Sequence, residues 1–224
     1  MMRPDWENSP LSINNPVLQL ELSHIAKSFN RRYIFSDISV TLGDASSLSV
    51  TGKNGSGKST LLKIIAGILR PSKGTVTVLV DGKNALNNLY PFLGFVSPYL
   101  QLYDEFTGLE NLELVQEIRG LNTPPDVVLG ILARVGLKGR ENDLLRTYSS
   151  GMKQRLKYAA ALIHSPKILL LDEPTSNLDQ EGKHLVKEIA AEQLQRGILI
   201  IATNEKDEVG LCRQTLELGA PLSQ

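Results

Sequence analysis

The chain has 224 residues, with 24 Lys+Arg balanced by 24 Asp+Glu and 42% hydrophobic residues, the size and composition of one globular domain or one domain with an insertion. A formal net charge of +0 removes the basic footprint of a protein that binds nucleic acid or anionic membrane through charge alone, and no nucleic-acid partner is expected. The single cysteine, Cys212, leaves no internal disulfide and no multi-thiolate zinc site, which points to a reducing compartment and to the cytoplasm.

Residues 1–16 carry Asp5, Glu7 and three prolines without an apolar run, so a flexible polar tail with no secretory signal is expected there. Alternation over 17–25 and again over 34–42 predicts two half-buried strands, and residues 46–52 predict a third that runs into a glycine-rich turn. Leu61, Leu62, Ile64, Ile65 and Ile68 then recur at helical spacing, ended near Gly67. Strands follow over 75–80, closed by Asp81-Gly82, and over 93–97, closed by Pro98. Helices are predicted over 109–119, over 126–135 behind Pro124-Pro125, and over 150–164. The apolar runs 167–171 and 197–202 have the length of parallel strands buried on both faces, far short of the roughly 20 residues that cross a bilayer. A helix over 180–195 lies between them, and 215–218 suggests a last short strand. Strands and helices alternate around one helical insertion, so the expected fold class is α/β with a mostly parallel core sheet, a β-rich N-terminal portion and an inserted helical subdomain over about 98–162.

Three segments carry chemistry. Gly52-Lys53-Asn54-Gly55-Ser56-Gly57-Lys58-Ser59-Thr60 matches the phosphate-binding pattern G-x-x-x-x-G-K-[ST] between a predicted strand and a predicted helix. Its glycines let the backbone aim N–H groups at phosphate oxygens, Lys58 reaches the β and γ phosphates, and the Ser59 hydroxyl suits Mg²⁺. Asp172 and Glu173 end the apolar run from Ile168. At the carboxyl end of a buried strand Asp172 is placed to hold Mg²⁺ through water, and Glu173 to polarise a water for attack on the γ phosphate; a helix-capping acidic pair is the plainer reading. Ser149, Ser150 and Gly151 open a predicted helix, so their hydroxyl and N–H groups form a second candidate anion site beside the simple reading of a serine N-cap. His24, His164 and His184 are too scattered for a metal cluster, and Lys153, Arg155 and Lys157 read as a solvated helix face.

Tyr148-Ser149-Ser150-Gly151-Met152-Lys153-Gln154-Arg155 resembles the signature segment of ABC-type ATPases, L-S-G-G-Q followed by Q-R, and in order and spacing with the other two motifs the resemblance spans about residues 17–210. It implies a P-loop nucleoside triphosphatase over 17–220 that binds ATP and Mg²⁺ and pairs head-to-tail with a second ATP-binding subunit, alike or different. It further implies a transmembrane permease as partner and a place on the inner face of the cell membrane without insertion. Small exporter ATPases are the nearer subclass. A soluble ABC-type switch and a weakly hydrolytic member of a heterodimer are the alternatives.

The resemblance also makes Ser176-Asn177-Leu178-Asp179 a D-loop and Phe29 the aromatic that stacks on adenine, with Tyr33 as the neighbouring alternative. It makes Thr107 to Leu112 the start of the helical subdomain whose cleft receives coupling helices of the permease. Two positions depart from the pattern. Pro98 stands where the Q-loop glutamine contacts Mg²⁺ and the attacking water, with Gln101 three residues on as a substitute only if the loop is rearranged. Asn204 stands where the switch histidine contacts the γ phosphate; it donates a hydrogen bond but carries no imidazolium charge, so slow turnover is expected.

Overall fold

A computed structural model describes residues 17–219. The tail expected over 1–16 lies outside them. In β1 (Leu18–Phe29) Leu18, Leu20 and Leu22 face inward while Gln19 and Glu21 face water. β2 (Arg32–Gly43) and β4 (Lys73–Val80) flank it antiparallel, setting Leu20 against Leu42 and Val78, and Leu22 against Val40 and Val76. The short β5 (Lys83–Asn84) completes this sheet in the order β2-β1-β4-β5. β1 runs four residues past the strand predicted to end at Ile25. The register shifts near His24, whose φ is 51°, and a bulge interrupts the alternation that marks a strand without ending the strand.

The second sheet is parallel throughout, in the order β6-β7-β8-β3-β9, formed by Leu93–Val96, Ile168–Asp172, Ile198–Ala202, Ser47–Thr51 and Gln214–Glu217. β7 and β8 are buried along their whole length. Alternate residues serve two cores. Leu169, Leu171, Leu199 and Ile201 pack with the helical side, and Ile168, Leu170, Ile198 and Ile200 pack with α1 (Lys58–Ile65) and the antiparallel sheet. Each such side chain contributes about 1.5–3 kcal/mol on burial, which is why these runs are apolar without alternation.

Between β6 and β7 come α2 (Gly108–Arg119), α3 (Pro125–Arg134) and α4 (Ser150–Leu162). α2 starts on a capping box: the Thr107 hydroxyl accepts from the Glu110 N–H, and the Glu110 carboxylate accepts from the Thr107 N–H. α5 (Gln180–Arg196) leads into β8, and α6 (Lys206–Val209), absent from the sequence reading, is a single turn after it. α1 ends at Ile65, its chain turned by Gly67 at φ 73°, so Ile68 is exposed and not part of the helix as predicted.

Because β7, β8 and β3 are neighbours and parallel, the loops that leave their carboxyl ends gather on one edge of the sheet. Those loops carry Asp172 and Glu173, then Thr203 and Asn204, then Gly52 to Gly57.

Candidate nucleotide-binding site

The phosphate loop turns on residues with positive φ: Gly52 at 137°, Gly55 at 82° and Gly57 at 100°. At two of these no side chain fits. A Cβ on Gly52 would run into the Leu218 carbonyl oxygen, and one on Gly57 into Ile34 and Phe35 of β2. The same contact sets the β1–β2 hairpin beside the loop. Phe29 and Tyr33 on that hairpin are about half exposed, with Lys27 Nζ 4.9 Å from the Phe29 ring and Lys73 Nζ 5.8 Å from the Tyr33 ring.

Lys58 begins α1 and is buried, its ammonium donating to the Gly52 carbonyl at 2.7 Å and reaching the Lys53 carbonyl at 3.5 Å. Ser59 Oγ donates to Asp172 Oδ1 at 3.0 Å. The other Asp172 oxygen is buried without a protein partner, as is Ser56 Oγ in the loop. Burial raises the Asp172 pKa above the usual carboxylate value, and the Ser59 hydrogen bond opposes this. A hydroxyl and a partly unsatisfied carboxylate are hard oxygen donors that fit Mg²⁺. Ser59 and Asp172 would hold it, and bound there it would neutralise charge on the β and γ phosphate oxygens.

Glu173 leaves the sheet with φ 49°, a left-handed conformation that costs a non-glycine residue about 1–3 kcal/mol. Its N–H donates to the Ala202 carbonyl at 2.9 Å, while its side chain is exposed. The strain separates two adjacent carboxylates: Asp172 stays buried against Ser59, and Glu173 lines a cleft of about 1070 Å³ with Asn54, Thr203 and Asn204. Two buried groups hold the turn that follows. The Tyr158 hydroxyl on α4 donates to the Pro174 carbonyl at 2.8 Å. Glu208 on α6 accepts from the Thr175 N–H at 3.0 Å and from the Thr175 hydroxyl. Glu208→Ala strands both Thr175 donors, and a loss of about 1–3 kcal/mol in unfolding free energy is expected in urea titrations.

Across the loops, Asn204 Nδ2 donates to Asn54 Oδ1 at 3.1 Å, linking the position after β8 to the phosphate loop. Ser149, Ser150 and Gly151 do not line the cleft. Ser149 is the N-cap of α4, its hydroxyl accepting from the Met152 N–H at 3.2 Å, and Gly151 lies against the Asn177 carbonyl of the same chain. Thus Asn54, Glu173 and Asn204 share one cleft and Ser59 meets Asp172 beside it, while Ser149 to Gly151 stand at the start of α4 and are not among the lining residues.

One expectation is overturned. Lys153, Arg155 and Lys157 do not form a solvated face. Arg155 is 7% exposed and its guanidinium bonds Asp179 at 2.7 Å, Glu181 at 3.2 Å and the Val135 carbonyl at 3.4 Å. Gly136 leaves the space it occupies. Lys153 pairs with Asp104 at 2.6 Å. Lys157 donates to the carbonyls of Ser97 and Pro98. α4 is enclosed by α2, α3 and the loop after β6, so cations on several of its sides meet acceptors of the protein instead of water.

A second hollow, of about 700 Å³, opens between α1, α2 and the segment after β6. Its walls are apolar and aromatic, including Tyr90, Phe95, Tyr99, Leu100, Leu114 and Ile118. Gln101 also lines this groove and is not among the residues of the cleft that holds Glu173.

The family model described as "ABC transporter" matches residues 35–176. An ABC transporter ATP-binding protein of Bacillus subtilis (strain 168), itself uncharacterized, is 30% identical over 201 residues, 89% of this chain and 92% of that protein. The chain belongs to the ABC transporter ATP-binding family. Nod factor export ATP-binding protein I of Rhizobium leguminosarum bv. viciae is 32% identical to this ABC subunit over 97% of its chain and 72% of the relative. Lantibiotic transport ATP-binding protein SrtF of Streptococcus pyogenes is 29% identical over 83% and 79%. In fold, the ABC subunit resembles an ATP-binding cassette solved as a dimer in a post-hydrolysis state with ADP and Pi, at a TM-score of 0.78, 23% identity and coverage of 89% and 94%. No helix among the described residues of the subunit is long and apolar enough to cross a membrane.

Sequence reasoning missed the bonds by which Glu208 holds the turn after β7 and Lys157 holds the segment after β6. The Thr107–Glu110 spacing was a readable capping signal, but nothing local to Glu208 or Lys157 announces a partner 33 or 59 residues away.

Proposed function

We propose that this subunit binds ATP with Mg²⁺ in the Gly52–Thr60 loop, hydrolyses it, and powers a transmembrane permease, most simply an exporter. The relative named for Nod factor export supports the direction. The observation that carries the reading is the division of the candidate phosphate-binding groups between two parts of the fold: Lys58, Ser59, Asp172 and Glu173 gather at one edge of the parallel sheet, and Ser149 to Gly151 stand at the start of α4 in the inserted helical part. A head-to-tail pair brings the Ser149–Gly151 end of one subunit to the phosphates held by the other, which closes water out and completes the donor set. The hairpin beside the loop makes Phe29 the platform for adenine, with Tyr33 next to it.

Within the closed pair Glu173 takes a proton from the attacking water as its oxygen bonds to the γ phosphorus. The bond to the bridging oxygen breaks, leaving ADP and phosphate. Asn204 donates a neutral hydrogen bond to the γ phosphate in exchange for Asn54. With proline at position 98 no side-chain amide assists, so turnover is slow and ATP affinity is ordinary.

The apolar groove takes the permease's coupling segment, and the subunit is peripheral at the inner face of the membrane. Membranes from source cells should retain the subunit, and Tyr99→Asp combined with Leu100→Asp should shift it to the supernatant with ATP affinity unchanged. Recovery of the unmodified subunit wholly in the supernatant, with all candidate permeases expressed, would leave the soluble switch as the better reading.

A further inference from the structure

The segment from Ser97 to Tyr103 walls one side of the apolar groove, and two lysines hold it. Lys157, midway along α4, donates to the Ser97 carbonyl at 3.3 Å and the Pro98 carbonyl at 3.1 Å. Lys63, in the last turn of α1, places its ammonium 5.0 Å from the centre of the Tyr99 ring. Between them Ser97 is buried, and its hydroxyl accepts from the Tyr99 N–H at 3.3 Å. Burial lowers the Lys157 pKa, so the ammonium has lost part of its water and the two carbonyls are its compensating partners. α1 begins at the phosphate loop and α4 at Ser149, so the groove wall is fastened to both helices whose N-termini carry the proposed phosphate-binding groups. Pro98 contributes only its carbonyl to this arrangement, and Lys157 is the side chain that spans from helix to wall.

Resting on the function proposed above, we propose that Lys157 is a positioning residue that ties the groove wall to the signature helix. Movement of α4 toward a partner's nucleotide is thereby felt at Ser97–Tyr103, and a segment seated in the groove sets the angle of α4. Lys157 lies seven residues, about two turns, into a rigid helix from Ser150, so a tilt that carries the helix start also carries the ammonium and the carbonyls bound to it. Coupling of this kind is reciprocal, so it is measurable from the nucleotide side without a permease.

The experiment uses the full chain with Glu173→Gln, which slows hydrolysis, and measures amide hydrogen exchange with and without ATP and Mg²⁺ alongside sedimentation. In this parent ATP is expected to produce a paired species and to slow exchange at least threefold over 97–106. Adding Lys157→Met should keep pairing and remove most of that protection, and Lys157→Arg, which retains the charge and donors, should restore it. A merely structural role would lower pairing and protection together and would not separate them. If the parent pairs but 97–106 does not respond, or if Lys157→Met responds like its parent, the link through Lys157 is wrong while the nucleotide-driven pair stands. If the parent binds ATP and never pairs, the proposed function falls and takes this inference with it.

Discussion

Replacing Glu173 with glutamine should lower steady-state ATP hydrolysis by about 100- to 10,000-fold, the range associated with a general base, while nucleotide binding stays within a few-fold of the unmodified subunit. The expectation follows from where the strained turn puts the two carboxylates. Asp172 is buried and engaged by Ser59, which suits the Mg²⁺-holding role proposed for it; Glu173 is exposed and opens on the cleft shared with Asn204. Glutamine keeps the volume and the polar contacts but has no basic oxygen to receive a proton. The variant should also accumulate an ATP-bound pair, because interactions made only in the closed state persist when the γ phosphate is not released. Phosphate release and sedimentation with ATP and Mg²⁺ provide the check. Hydrolysis at the unmodified rate would remove Glu173 from the role of base.

The fold class and the residues of the candidate site were legible because each rests on a local pattern. Continuous apolar runs at 168–171 and 198–202 announce strands covered on both faces, and the glycine spacing of 52–57 announces a backbone with positive φ that leaves no room for a side chain at Gly52 and Gly57. What escaped depends on long-range partners. The end of β1 was misplaced because a bulge at His24 breaks alternation just as a strand end does. The α4 cations were read as solvated because helical spacing gives the angle of a side chain and not what covers it. Arg155 is buried only because Asp179, Glu181 and the space above Gly136 converge there from distant parts of the chain. Pro98 and Asn204 were visible as departures, but the bond from Asn204 to Asn54, 150 residues apart, required three dimensions.

Lys58→Ala should weaken ATP affinity by about 10- to 100-fold and abolish measurable turnover, since a hydrogen bond to a charged group contributes about 1.5–3 kcal/mol and the lost one is made to the phosphates on which the chemistry occurs. Lys58 is buried, and its ammonium also donates to the Gly52 carbonyl at 2.7 Å. It therefore has a second role, holding the loop around itself, and its removal leaves carbonyls of Gly52 and Lys53 without that donor. A decrease of about 1–3 kcal/mol in nucleotide-free stability should accompany the loss of affinity. Lys58→Arg distinguishes charge from shape. The guanidinium retains the charge but brings a planar fork into a space built for one compact ammonium, so it should recover little of the affinity. Calorimetric titration with ATP and Mg²⁺, run beside thermal unfolding without nucleotide, separates the two roles. Affinity equal to the unmodified subunit in Lys58→Ala would mean that the loop does not seat the phosphates.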